Sequence, residues 1–214
     1  MTENDKIGFI DEDVQWINQF KRFASDRFDV LTFELSEETT IEKLIIEIRN
    51  SSIDCLIVDF DLKESDLIPF NGDDIIDAIR KDTPFFPLFV VTCHPEEHVL
   101  NEVDDVDIVY VKENITDPKK QGIFALRIKN KIDHYRSKIR STKQDIERLV
   151  LLKAERALTP MEEEQLAEHY YFLEKTAPEE KILPAHLAKP ESISQLNSFV
   201  ENTKKILEEL KKQK

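Results

Sequence analysis

Apolar residues fall in short blocks along the first half of the chain, each closed by polar residues. Lys6-Ile-Gly-Phe-Ile10 is one such block and runs into Asp11-Glu12-Asp13. Val14 to Phe23 follows, with Trp16, Ile17 and Phe20 at helical spacing, which predicts an amphipathic helix. Phe28 to Leu35 predicts a second strand. Ser36 with Glu37 and Glu38 predicts the opening of a helix whose stripe is Ile41, Leu44, Ile45 and Ile48. The block Cys55 to Val58 is continuous, β-branched and ends in Asp59-Phe-Asp61, the pattern of a strand buried on both faces. A polar loop through Pro69-Phe-Asn-Gly72 leads to a helix over Asp73 to Lys81. Pro87 to Thr92 is a fourth strand, Pro95 to Val103 a fourth helix, and Asp107 to Lys112 a fifth strand. Strands alternating with helices at this spacing predict a parallel sheet covered on both faces.

After Pro118 the strand pattern stops. Ile128, Ile132, Tyr135, Ile139, Thr142, Ile146 and Leu149 recur at alternating four- and three-residue steps, a heptad seam. Thr159-Pro160-Met-Glu162 supplies an N-cap, a proline at the first helical position and a capping-box acid. The helix it opens carries Leu166, Tyr170 and Leu173. A linker with Pro178, Pro184 and Pro190 leads to a last helix from near Ser192, with Ile193, Leu196, Val200, Thr203, Leu207 and Leu210 on one side.

Charge sharpens the division. Residues 1–118 carry 10 Lys and Arg against 29 Asp and Glu, whereas residues 119–156 carry 12 against 4. The chain as a whole stands at −14, so non-specific nucleic-acid binding by the whole molecule is not expected. No stretch has the apolar length of a membrane span, and the first residues lack the basic and apolar regions of a secretory signal. Cys55 and Cys93, both in apolar strand contexts, are expected as reduced core thiols of a cytoplasmic protein.

Four predicted strand ends carry polar residues: Asp11-Glu12, Asp59, Thr92 and Lys112. In an open parallel sheet, ligands sit outside the carboxyl ends of the strands. The blocks Ile7-Gly-Phe-Ile-Asp11-Glu12-Asp13, Asp54-Cys-Leu-Ile-Val-Asp59, Asn71-Gly72, Val90-Val-Thr92 and Val109-Tyr-Val-Lys112 together resemble the receiver domain of two-component response regulators, over roughly residues 5–135. The resemblance implies an α/β, doubly wound, flavodoxin-like sheet of five parallel strands in order 2-1-3-4-5, followed by an all-helical C-terminal region. It implies Asp59 as phosphoacceptor and Thr92 and Lys112 as its catalytic helpers. It implies Mg²⁺ held by Asp11, Glu12, Asp59 and the backbone carbonyl of Asp61. Such chemistry is phosphoryl transfer to and from the protein's own aspartate, with no other enzyme activity. The expected phosphodonor is a sensor histidine kinase or a phosphotransfer protein. The physical fit is direct: a hard cation takes oxygen ligands, a carboxylate forms an acyl phosphate as a nucleophile, and Lys112 and Thr92 meet charge on the transferring oxygens.

Four departures from the family pattern stand out. Glu12 replaces the second aspartate, and the loop between Asp59 and Gly72 is longer than usual. Glu113 takes the place of a proline after the lysine, and Val109 that of a switch aromatic. The expected domain layout is a receiver over 1–122, an extended helix or coiled-coil linker over 123–158, and a helical output or interaction region over 159–214. The seam motivates a homodimer through the 123–156 helix, with an intramolecular bundle as the competing arrangement. Signalling is expected through a helical protein-interaction module toward a downstream protein. A nucleic-acid-binding regulator using the basic 119–156 helix, or a phosphate sink, is the alternative.

Overall fold

The computed structural model describes residues 4–65, 67–94 and 108–176. Five parallel strands form one sheet: β1 (Lys6–Ile10), β2 (Asp29–Thr32), β3 (Cys55–Asp59), β4 (Leu88–Thr92) and β5 (Val109–Val111). Their order is β2-β1-β3-β4-β5, as the resemblance implies. The register runs Ile7 against Cys55, Leu56 against Leu88 and Val90 against Val109. Helices α1 (Val14–Ala24), α2 (Ile41–Asn50) and α3 (Gly72–Asp82) alternate with the strands. After β5 come a single turn α4 (Glu113–Thr116), the long helix α5 (Pro118–Glu155) and α6 (Pro160–Thr176). The expected helix over Pro95 to Val103, the start of the fifth strand at Asp107, and everything expected after 176 lie outside the described residues.

The period-two pattern of the strands divides the core into two layers. Ile7, Phe9, Cys55, Ile57, Phe89 and Val91 point to one face and meet Phe20 and Phe23 of α1 and Phe124, Ile128 and Ile132 of α5. Ile10, Leu56, Val58, Leu88 and Val90 point to the other and meet Leu44 and Ile48 of α2 and Ile75 and Ile79 of α3. β3 is buried at all five positions, as its continuous apolar run predicts. On the first face aromatic rings interlock: Phe9 stacks on Phe20 at 4.1 Å, and Phe124 sits 5.2 Å from Tyr110 and 5.8 Å from Phe23. Each fully buried Ile or Phe contributes about 1.5–3 kcal/mol.

Local signals set the helix ends. Asp13 caps α1 by accepting the Gln15 N–H at 2.7 Å, and Asn71 and Asp74 form a capping box on α3. α2 starts later than Ser36: Thr40 is its N-cap. Ser36 instead closes a polar turn in which its N–H donates to the Thr39 hydroxyl at 2.9 Å. Ser36, Thr39 and Thr40 all offer a capping hydroxyl within five residues, and the last of them takes the role. Among the described residues no helix is long and apolar enough to cross a membrane.

The chain divides into two compact units, Met1–Arg136 and Ser137–Lys214. The sheet unit thus takes in the first half of α5, whose Phe124, Ala125, Ile128 and Ile132 are buried against strands. In the second unit, α5 and α6 form an antiparallel hairpin. Leu149, Leu158 and Leu166 are its core, with Ile146, Leu152 and Tyr170 against them, and Lys138 lies over the Phe172 ring at 5.9 Å. The capping box predicted at Thr159 is present: Thr159 N–H donates to Glu162 Oε2 at 2.8 Å, and Glu162 N–H donates back to the Thr159 hydroxyl at 3.4 Å. The heptad seam is therefore divided between two tasks. Ile128 and Ile132 complete the sheet's core, while Ile146 and Leu149 pack on residues of the hairpin.

Candidate functional site

The carboxyl edge of the sheet gathers the residues the sequence singled out. Asp11 follows β1, Asp59 ends β3, Thr92 ends β4 and Lys112 follows β5. Parallel pairing fixes them laterally, since Asp59 pairs with Val91 and Thr92 with Val111. The Lys112 N–H donates to the Thr92 carbonyl at 2.8 Å, which sets the lysine one residue past the last ladder rung. The Lys112–Glu113 peptide is trans, and the chain passes straight into α4.

Lys112 Nζ lies 2.9 Å from Asp11 Oδ2 and 3.0 Å from Asp59 Oδ2, with all three side chains at least 95 % buried. Asp11 Oδ2 meets the lysine as an ion pair. The other Asp11 oxygen accepts the Asp13 N–H at 3.0 Å. Among the described residues, Asp59 Oδ1 and Glu12 Oε2 are buried with no hydrogen-bond partner. A buried acceptor without a partner costs free energy, and here that cost is concentrated on the carboxylates facing one another.

Electrostatics follow from that geometry. Burial pushes Asp11 up to about 6 against the pull of Lys112. Asp59 is also raised, by burial first and by the charge of Asp11 in addition, with Lys112 opposing both. Burial lowers the Lys112 pKa, but its two carboxylates outweigh this and raise it. One ammonium thus faces two carboxylates with Glu12 close to both, and the group carries excess negative charge when all are ionised.

Those observations fit a divalent cation. Asp11, Glu12 and Asp59 each offer a carboxylate oxygen within 4.8 Å of the others. The donors are all hard oxygens, the kind Mg²⁺ takes, and two of the three residues present oxygens that no other described residue satisfies. Asp61 stands apart by its carboxylate: Oδ2 accepts the Thr92 hydroxyl at 3.0 Å and lies 3.9 Å from His94 Nε2. The role implied for Asp61 concerns its backbone carbonyl, which its side-chain contacts leave open. The Thr92 hydroxyl also accepts the His94 N–H at 3.0 Å.

The structure gives three further residues near the site a place that the sequence pattern does not assign. Gly72, the first residue of α3, packs directly on β3. A Cβ there would lie 2.2 Å from the Asp59 carbonyl oxygen and 3.0 Å from Phe60 Cα. Its N–H donates to the Phe60 carbonyl at 3.0 Å, so the helix start clamps the strand end that presents Asp59. The signal was the rarity of glycine, three in the chain, at the start of a helix. Trp16 was read as part of the apolar face of α1, yet its ring lies 5.0 Å from Lys112 Nζ. Cys93, expected in the core, is exposed whereas Cys55 is buried. Cys93 lies just past the end of β4, where the chain leaves the sheet's cover.

No family model matches the chain, and no curated protein matches it. Solved structures do. A response regulator receiver domain protein from Clostridium thermocellum is 23% identical, covering 62% of this chain and 97% of that one at a TM-score of 0.47. The signal receiver domain of an HD domain-containing protein from Pseudomonas fluorescens is 13% identical, covering 64% and 93% at 0.49. A chemotaxis response regulator of Vibrio cholerae is 14% identical, covering 58% and 98% at 0.44. Each covers about three fifths of this chain and nearly all of the other.

Proposed function

We propose that the chain is a response regulator that accepts a phosphoryl group on Asp59 and signals through its helical C-terminal region. The observation that carries this reading is Asp59 Oδ1, a buried carboxylate oxygen without a partner among the described residues, at the carboxyl end of the central strand beside a buried lysine. An oxygen in that state is a nucleophile waiting for an electrophile. The donor would be a phosphohistidine of a sensor histidine kinase or phosphotransfer protein. As Asp59 Oδ1 bonds to phosphorus, the donor P–N bond breaks and its electron pair returns to the donor nitrogen.

Asp11, Glu12 and Asp59, with the Asp61 carbonyl, would hold Mg²⁺. Bound there, the ion would offset the carboxylates' mutual repulsion and the charge on the phosphoryl oxygens. Lys112 keeps one end of Asp59 fixed, leaving the other free to react, and its ammonium then meets a phosphoryl oxygen. The Thr92 hydroxyl leaves Asp61 and donates to another. Gly72 holds the Asp59 backbone still, which is the positioning part of the catalysis. Water attacking the same phosphorus returns the carboxylate and releases phosphate.

Output through protein contacts is supported by the α5–α6 hairpin, which leaves Leu151, Met161 and Tyr171 exposed. A dimer through the 123–156 helix has less support, because much of its seam is already packed within the chain. Nucleic-acid binding through the basic helix also has less, since Lys129 and Arg136 are held by Asp5.

The test is direct. Incubation with Mg²⁺ and acetyl phosphate should add one phosphoryl mass to the wild type and none to Asp59→Asn or to a chelated sample. Equal uptake by Asp59→Asn would falsify the assignment.

A further inference from the structure

The Lys112 ammonium has three N–H groups, and among the described residues two carboxylates pair with it. Lysine is a point charge on a flexible stem with three rotatable donors, so two carboxylates alone do not fix where it points. The ring of Trp16 also lies against the ammonium, with Nζ 5.0 Å from the ring centroid. A cation over an indole face is attracted by the ring's negative quadrupole, most strongly where water is excluded. Only 5 % of the lysine side chain is exposed, so this contact lies in the favourable regime.

The sequence builds the contact deliberately. Asp11 accepts the Asp13 N–H at 3.0 Å, and Asp13 accepts the Gln15 N–H at 2.7 Å. These two bonds lock the turn from β1 into α1 and begin the helix at Val14. Trp16 is then in the first turn, half-buried, while Phe20 one turn on stacks into the core against Phe9. The same carboxylate that pairs with Lys112 thus anchors the turn that brings the ring to it. Aromatic residues on an apolar helix face ordinarily go to the core. This one leans over a charge instead.

Resting on the phosphoacceptor reading above, we propose that Trp16 is a positioning residue for phosphoryl transfer: its indole face caps the Lys112 ammonium and holds it between Asp11 and Asp59. The cap keeps water from the lysine and leaves it aimed at the place where phosphoryl charge arrives. It acts through Lys112 and does not touch the transferring group. The chain has one tryptophan, so Trp16 is also its only indole reporter of that environment.

Two measurements test this. In the proton spectrum of the wild type, the Lys112 ε-methylene resonances should lie upfield of their ordinary position because of the indole ring current. They should return to it in Trp16→Leu. Ordinary shifts in the wild type overturn the proposal without any variant having to fold.

The second measurement is the initial rate of phosphoryl uptake from acetyl phosphate with Mg²⁺. Trp16→Leu keeps apolar bulk but has no π face, and its rate should fall about tenfold, whereas Trp16→Phe keeps a weaker face and should stay within about threefold. Equal losses in both variants mean that bulk alone matters, and overturn the cap. Wild-type rates in both overturn it as well. A wild type that takes up no phosphoryl group overturns the phosphoacceptor reading and the catalytic part of this one. The proton spectrum still decides the Trp16–Lys112 contact in that case.

Discussion

The two edges of the sheet each bury aspartates beside cations, and they do so with opposite outcomes. At the amino edge, Asp5 accepts Lys129 at 2.9 Å and Arg136 at 2.5 Å, and Arg136 reaches on to Asp54 at 2.7 Å. Asp54 in turn accepts the Lys6 N–H at 2.9 Å. Burial pushes the Asp5 pKa up, yet the hydrogen bonds and charges of Lys129 and Arg136 bring it below its ordinary value. At the carboxyl edge two carboxylates share one lysine with a third carboxylate beside them, and burial there raises both Asp11 and Asp59. One edge is balanced and fastens α5 to the starts of β1 and β3. The other is left unbalanced, and imbalance is what a binding site for a cation or a phosphoryl group requires. Burial of an aspartate is thus uninformative until its partners are counted.

The largest expected effect breaks the carboxyl edge sterically. In Gly72→Ala the new Cβ would meet the backbone of Asp59 and Phe60, and backbone cannot swing aside as a flexible side chain can. A loss of about 3 kcal/mol in urea unfolding is expected, at the upper end of overpacking costs. Wild-type stability in this variant would mean that α3 does not clamp the strand end.

A smaller pair of changes contrasts the edges directly. Asp5→Asn removes the acceptor that two cations share. Lys129 and Arg136 are 46% and 42% exposed, so water takes over part of their solvation, and the loss should be about 2 kcal/mol, less than for a wholly buried pair. Asp59→Asn, measured without divalent metal, should instead leave stability unchanged or raise it by about 1 kcal/mol, since it removes one of several mutually repelling buried charges. The contrast in sign is the test. Acid should erase the Asp5 effect: its folded pKa is depressed, so its contribution is full above its ordinary value of 3.8. That contribution fades as pH falls through the lower folded value. A gap between wild type and Asp5→Asn that stays constant into strong acid would show that the ion pairs are not its source.

How far the sequence revealed these edges depends on how local each signal is. Asp11, Asp59, Thr92 and Lys112 were legible because each sits at the end of an apolar strand block, and parallel strands deliver their ends to one edge. The sheet order was legible only through the resemblance. The Asp5 clasp was not visible, since its partners lie 124 and 131 residues away and depend on where α5 returns to the sheet. Trp16 is legible as a residue of the α1 face but not as a neighbour of Lys112, because periodicity tells which residues face inward and not which charge they meet. The seam was read correctly as apolar. Its single periodicity concealed a change of neighbour, from sheet at Ile132 to hairpin at Ile146.

The smallest expected effect concerns the helix that carries the amino-edge cations. Gly122 lies inside α5 four residues after Pro118, is exposed, and a Cβ there would meet nothing within 4 Å. Glycine in a helix interior costs about 0.8–1.0 kcal/mol relative to alanine, less within the first turns where the helix is only partly hydrogen-bonded. Gly122→Ala should therefore stabilise by about 0.5 kcal/mol, read as a higher urea midpoint with an unchanged slope. The gain should add to the loss from Asp5→Asn, because the two positions share no partner. A Gly122→Ala gain that vanishes when Asp5 is replaced would tie the start of α5 to the clasp, making the amino edge a coupled device in place of a simple fastening. Destabilisation by Gly122→Ala alone would mean that another surface lies against that face of the helix, and Ile123 and Leu126, both exposed beside it, would be the next residues to replace.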